Sequence, residues 1–217
     1  MAHSYVTASD LPQALPVFPL DGALLLPRGQ LPLNIFEPRY LNMIDDVMAG
    51  DRLIGMIQTT GGSRERPALA PIGCAGRITH FAETSDGRYL ITLTGVARFR
   101  VTAELPAAMP YRQVRAEFVS FEADLSPAPE PVTFDRPAFF DALRLYLERR
   151  GLDVDWETAE SAPPEALINS LAMALPFEAA EKQALLEAPD LENRAGALTT
   201  LMRIDAAEPG DGETRLQ

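Results

Sequence analysis

A chain of 217 residues, 47% hydrophobic and 23% charged, has globular composition and room for one large domain or two small ones, each with its own core. Its net charge of −12 repels phosphate backbones, which argues against nucleic acid as a partner. No apolar run reaches the roughly 18 residues of a membrane span, and the single cysteine, Cys74, excludes an internal disulfide. The acidity is uneven: residues 1–116 sum to +1 and residues 117–217 to −13. The opening MAHSYVTASDLPQALP lacks a basic region followed by an apolar one, so no signal peptide is expected and a cytoplasmic location is.

Along the chain, LPVFPL (15–20) is short, apolar and bounded by proline. GALLLPRGQLPLNIF follows, and its prolines at 27 and 32 would each remove a ladder donor, so it reads as an edge strand or as extended chain laid over a core. In LNIFEPRY (33–40) the strand pattern meets a helix. Tyr40, Met43, Ile44, Val47 and Met48 fall at i, i+3, i+4, i+7 and i+8, the stripe of an amphipathic helix. Pro38 suits its first turn, Glu37 its positive end, and Gly50 its stop. RLIGMIQ (52–58), GCAGRITHFAE (73–83) and GRYLITLTGVARFRV (87–101) read as strands, the last two joined through Asp86-Gly87. YRQVRAEFVSFE (111–122) alternates, with Val114, Ala116, Phe118 and Ser120 on one face. Several short strands with polar turns predict a small antiparallel barrel or a strongly curved sheet.

Residues 123–137, ADLSPAPEPVTFDRP, are proline-rich and form the expected boundary, after which the period becomes helical. PAFFDALRLYLERRG places Phe139, Phe140, Leu143 and Leu147 on one face, with Asp135 as cap and Gly151 as stop. SAPPEALINSLAMALP carries Leu167, Ile168, Leu171 and Leu175. FEAAEKQALLEAP and DLENRAGALTTLMRID are two further helices, with Asp190 placed to cap the second. The expected division is a β-rich subdomain over residues 1–122, a linker over 123–137, a helical subdomain over 138–204 and a disordered tail over 205–217, which has no apolar content to bury.

Catalytic and ligand-binding chemistry is sparse. The only lysine, Lys182, sits in a helix without glycine, which excludes a P-loop and any recognisable Ser-Lys dyad within these residues. His3, His80 and Cys74 do not make a zinc spacing. Cys74 and His80 can share a strand face, but six residues of extended strand put them roughly 20 Å apart, so they read as a core cysteine and an exposed or hydrogen-bonded histidine. Asp45/Asp46 and Asp153/Asp155 read as solvated charges. Glu37 and Arg39 read as helix capping and an ion pair rather than as a ligand contact. Arg98 and Arg100, opposite Phe99, read as a solvated basic face or one paired with the acidic half. No catalytic, cofactor or metal residue is assigned.

Taken together, LPVFPLDGALLLPRGQLPLNIFEPRYLNMI, IGCAGRI, LTGVARFRV and NSLAMALPFEAAEKQALLEAPDLENRAGALTTLM resemble, in the same order, the N-terminal substrate-binding domain of Lon proteases. The resemblance runs over residues 14–204. It implies an α+β fold, a PUA-like β pseudo-barrel with one inserted helix followed by an α-helical bundle. It also implies a stand-alone recognition module with neither the ATPase nor the peptidase domain. Its implied partners are unfolded or exposed polypeptide segments, within a protease system. Met43, Met48, Phe81 and Tyr89 are the candidate apolar contacts for such segments. A small-molecule-binding protein or enzyme with a pocket between the halves is the alternative reading. RNA binding would need Arg77, Arg88, Arg98 and Arg100 gathered on one face.

Overall fold

The computed structural model describes residues 5–63, 67–106, 108–127 and 131–207. Contacts group them into two units: the described residues of Met1–Ala128 with Asn169–Glu187, and those of Pro129–Ile168 with Ala188–Gln217. The division therefore differs from one cut at the proline-rich segment, because residues 169–187 pack with the strands.

In the first unit the strands are β1 (Ala14–Pro19), β2 (Gln30–Ile35), β3 (Leu53–Ile57), β4 (Thr59–Gly62), β5 (Pro67–Leu69), β6 (Ile72–Glu83), β7 (Tyr89–Glu104) and β8 (Arg112–Glu117). At 16 residues β7 is long enough to serve β2 with its first half and β8 with its second. The order β7-β6-β3-β1-β8 thus returns to β7 and closes a barrel, with β2 left at an edge. β1 and β3 run parallel and the other ladders are antiparallel. Register shifts in β6 and between β7 and β8 supply the bends that closure needs. Pro32 pairs opposite Thr92 on the edge strand, where a missing donor is tolerated. Leu24, Leu25 and Leu26 are buried without belonging to a strand.

Leu15, Val17, Leu53, Phe99, Val114 and Phe118 fill the barrel. The Phe99 ring occupies space that two glycines leave open, since a Cβ on Gly55 or Gly73 would stand 2.8 or 2.6 Å from it. The α+β class with one inserted helix matches the expected architecture.

The helix α1 (Pro38–Met48) follows β2 and buries Tyr40, Met43, Ile44 and Val47, worth roughly 6–12 kcal/mol before ordering costs. Its stop differs from the expectation. Gly50 is not in the left-handed region; the chain turns instead at Arg52, whose φ is 59° and whose N–H donates to the Val47 carbonyl at 3.0 Å. β8 also ends sooner than its alternation suggests. Glu117 accepts from the Ser120 N–H and hydroxyl, both at 2.9 Å, and this local pairing curls Val119–Leu125 into a 3-10 segment. The β4–β5 hairpin has no counterpart in the sequence reading. The Asp86-Gly87 turn is as expected, with Gly87 at φ 79°.

The second unit holds α2 (Arg136–Arg150), α3 (Trp156–Ser161), the start of α4 (Pro164–Ala174) and α6 (Leu191–Ala207), and α2 packs on α6. Asp135 accepts from the Ala138 N–H at 3.0 Å to cap α2, Gly151 stops it at φ 61°, and Asp190 caps α6 through the Asn193 N–H. The helix α6 runs past the expected start of the tail. Asp205 pairs with Arg150 and accepts from Arg149, so Asp205–Ala207 are helical, and residues 208–217 lie outside the described residues.

Candidate functional site

Among the described residues, the pairs raised by the sequence are held apart or take structural bonds; His3 lies outside the described residues. Cys74 is buried and His80 exposed on the continuous strand β6, so no nucleophile–base pair forms. Asp155 caps α3 by accepting from the Thr158 N–H and hydroxyl, which hold its carboxyl below the usual range. Among the described residues no group of three or more His, Cys, Asp or Glu is disposed to hold a metal ion.

One sequence reading needs correction and two are refined. Glu37 precedes α1 but accepts no capping bond; it pairs with Arg39 at 2.8 Å on the surface, where such a pair contributes little. Asp45 and Asp46 are exposed helix charges, as expected, but each also takes a hydrogen bond. Asp45 accepts from the Tyr89 hydroxyl at 3.0 Å and Asp46 from the Tyr111 hydroxyl at 2.8 Å, tying α1 to β7 and to the entry of β8. Arg98 is buried. Its guanidinium and its own N–H bind the Asp124 carboxylate at 2.8–3.0 Å, and Nη1 donates to the Leu186 carbonyl. That burial removes Arg98 from any basic surface, and Arg88 is paired with Asp86 at 2.9 Å.

Tyr111 gives a pH prediction. Burial, and then its bond to Asp46, push its phenol up to about 12 from an ordinary value of 10.0. A hydroxyl with a raised folded-state value contributes stability that is complete below pH 10 and is lost as pH rises towards 12. Denaturation at pH 9 and pH 11.5 should show the parent losing about 1–2 kcal/mol more than Tyr111→Phe across that window. Equal losses would contradict the assignment.

The helix α5 (Ala179–Glu187) carries the EKQALLE motif, and its side chains stitch it to the barrel. Lys182 Nζ donates to the carbonyls of Gly22 (2.8 Å) and Met173 (3.3 Å), and its burial pulls its pKa below the ordinary lysine value. Gln183 donates to the Ile72 carbonyl and accepts from Gln58. The only lysine is thus a structural donor to backbone oxygens.

Two surface features among the described residues bear on binding. The first is the end of the β6–β7 hairpin. Phe81 and Tyr89 form an edge-to-face pair with centroids 5.0 Å apart, and Phe81 is 38% exposed, Leu90 43% and Phe36 62%. Leu90 pairs with Asn34 and Ala82, and Tyr89 with Ile35 and Glu83, so adjacent residues place apolar groups on both faces of the strand tip. Of the four expected contacts, the structure brings Phe81 and Tyr89 together here. Met48 is half-buried at the end of α1, and Met43 is sealed in the core, which excludes it from contact. Leu90 and Phe36 escaped the sequence reading because strand alternation alone does not show which face stays uncovered.

The second feature is a cleft of about 380 Å³ beside α1. Pro19, Leu20, Pro67 and Pro110 make its apolar wall, with the rings of Tyr40 and Tyr111; Asp21, Arg39, Thr59 and Arg112 are the remaining lining residues.

The fold is shared with known proteins. The sequence profile of the ATP-dependent protease La (LON) substrate-binding domain matches residues 14–203. The chain belongs to this family. It is 28% identical to Lon protease 2 of Myxococcus xanthus over 95% of this chain and 27% of that protein, and 33% identical to the Lon protease of Desulfosudis oleivorans over 43% of this chain and 12% of that one. The chain therefore spans about a quarter of the length of the first of these proteases or less. In solved structures, the Lon N-terminal domain protein of Xanthomonas campestris matches with a TM-score of 0.57 at 23% identity, over 90% of this chain and 99% of that one. The N-terminal domain of a Mycobacterium avium complex Lon protease gives 0.59 at 18%, over 88% and 98%. The family match is to the Lon substrate-binding domain, not to the catalytic domain. No helix among the described residues is long and apolar enough to cross a membrane.

Proposed function

We propose that this Lon-family chain is a non-enzymatic module that binds unfolded or exposed segments of other polypeptides and works within a protease system. The observation that carries the reading is the hairpin tip, where Phe36, Phe81 and Leu90 stay exposed beside Tyr89. Exposed apolar side chains on both faces of one strand end offer a client an adaptable surface. They also suit clients that share apolar residues rather than one sequence. The family's substrate-binding description points the same way, and the burial of Cys74 and commitment of Lys182 leave those side chains no catalytic task.

The test is a titration with a reduced, carboxymethylated protein, which cannot refold. Phe81→Ser with Leu90→Ser should weaken binding at least tenfold, equivalent to about 1.4 kcal/mol; because both side chains are partly covered and Phe81 packs on Tyr89, the midpoint falls, and far-UV circular dichroism at the titration temperature checks that the variant is folded. A double variant that binds as tightly as the parent would remove the hairpin tip from the interface.

A further inference from the structure

The cleft beside α1 holds a polar group that the fold does not use. Tyr40 is only 6% exposed, and its ring is fixed between Phe18, at a centroid distance of 4.3 Å, and the Arg39 guanidinium, at 4.5 Å. Its neighbours Tyr89 and Tyr111 spend their hydroxyls on Asp45 and Asp46. The Tyr40 hydroxyl makes no hydrogen bond to any protein group among the described residues. The hydroxyl opens onto the cleft that Tyr40 lines, and phenylalanine would fill the same ring space, so what tyrosine adds here is a donor offered to a molecule seated in the cleft.

The surrounding charges define that partner. Arg112 is committed: its fork holds Glu104 at 2.9 and 3.0 Å, and Nη1 donates to the Pro67 carbonyl at 2.7 Å. Arg39 is paired with Glu37, and Asp21 accepts from both the N–H and the hydroxyl of Thr59. With Asp21, Glu37 and Glu104 set against Arg39 and Arg112, these five groups sum to −1, so an anion gains nothing. A neutral acceptor fits, and burial holds the phenol protonated by raising its pKa, leaving it a donor. Beside it stand the proline, leucine and Tyr111 walls, which suit an apolar side chain.

We propose that this cleft takes one apolar residue of a bound polypeptide, with the Tyr40 hydroxyl donating to that residue's backbone carbonyl. The proposal rests on the polypeptide-binding reading above and assigns it a second, more selective contact.

The probe is N-acetyl-leucine-N-methylamide, a single residue with peptide carbonyls and an apolar side chain, titrated into the full chain and followed by amide NMR. The expected result is saturable shifts at Leu20, Thr59 and Tyr111, an affinity at least fivefold weaker in Tyr40→Phe, and a similar loss for the aspartate diamide. Because Phe conserves the ring, Tyr40→Phe should fold with unchanged stability, which separates the lost bond from lost structure. No saturable shifts at these residues, an unchanged affinity in Tyr40→Phe, or equal affinity for the aspartate diamide would each overturn the proposal. If the cleft fails while the carboxymethylated protein still binds, the general reading stands without it; if the diamide binds and the unfolded protein does not, the cleft stands and the general reading falls.

Discussion

Asp124→Ala should lower the unfolding free energy by about 3–5 kcal/mol. Asp124 is nearly buried and accepts three bonds from Arg98, one from the backbone N–H and two from the guanidinium. The Arg98 side chain also lies over the Phe121 ring at 4.8 Å, so it is fixed in place and has no short route to water. Removing the carboxylate leaves a charged guanidinium in the interior, facing the neutral Leu186 carbonyl with no counter-charge from Asp124. The pair also links β7 to the 3-10 segment, so its loss loosens both. Replacing both partners, Arg98→Met with Asp124→Leu, removes the stranded charge and should recover at least half of the loss. Chemical denaturation followed by far-UV circular dichroism reads both. A single variant that loses less than about 1 kcal/mol would show that the pair is not desolvated as the structure has it.

The second large effect is expected from Gly95→Ala. A Cβ at this position would overlap the Leu26 carbonyl and press on the Pro27 backbone. Neither can withdraw freely. The Arg28 N–H donates to the Gly95 carbonyl at 2.8 Å, and the Gly95 N–H donates to the Gly29 carbonyl at 2.8 Å. Any shift that admits the methyl group breaks these bonds, at about 1 kcal/mol each, and lifts the buried Leu24–Leu26 run. The total loss should be about 3 kcal/mol or more. Gly196→Ala is the control, because an added Cβ there meets nothing within 4 Å and alanine favours a helix. A Gly95→Ala protein as stable as the parent would mean that the 22–29 segment is not pinned to β7.

Legibility in the sequence followed the range of the interactions. The α1 stripe, the Asp86-Gly87 turn, the Asp135 cap and the Gly151 stop are local, and each stands where its pattern puts it. Arg98 pairs with the acidic half, as one of its readings had it, but its burial was not legible, because its partner lies 26 residues away and a strand pattern shows which face a side chain takes but not what covers that face. The same limit hid the grouping of residues 169–187 with the barrel: a helical stripe announces a buried face without naming the core that receives it. Met43 and Met48 occupy one stripe, yet Met43 faces the interior completely while Met48, at the last turn, does not. The cleft-facing hydroxyl of Tyr40 had no sequence signal, because a tyrosine on a helix stripe reads the same whether or not its hydroxyl has a partner. The family resemblance carried the architecture further than the local patterns did, since it placed barrel, helix and motif in order.

The most direct test of the central claim is a titration of the purified protein with the labelled, carboxymethylated chain, beside its native-folded counterpart and across a salt series. Recognition through the apolar hairpin tip predicts saturable binding of the unfolded chain only, changing little with salt. No binding at high micromolar concentration, equal binding of the folded control, or binding abolished by moderate salt would contradict it.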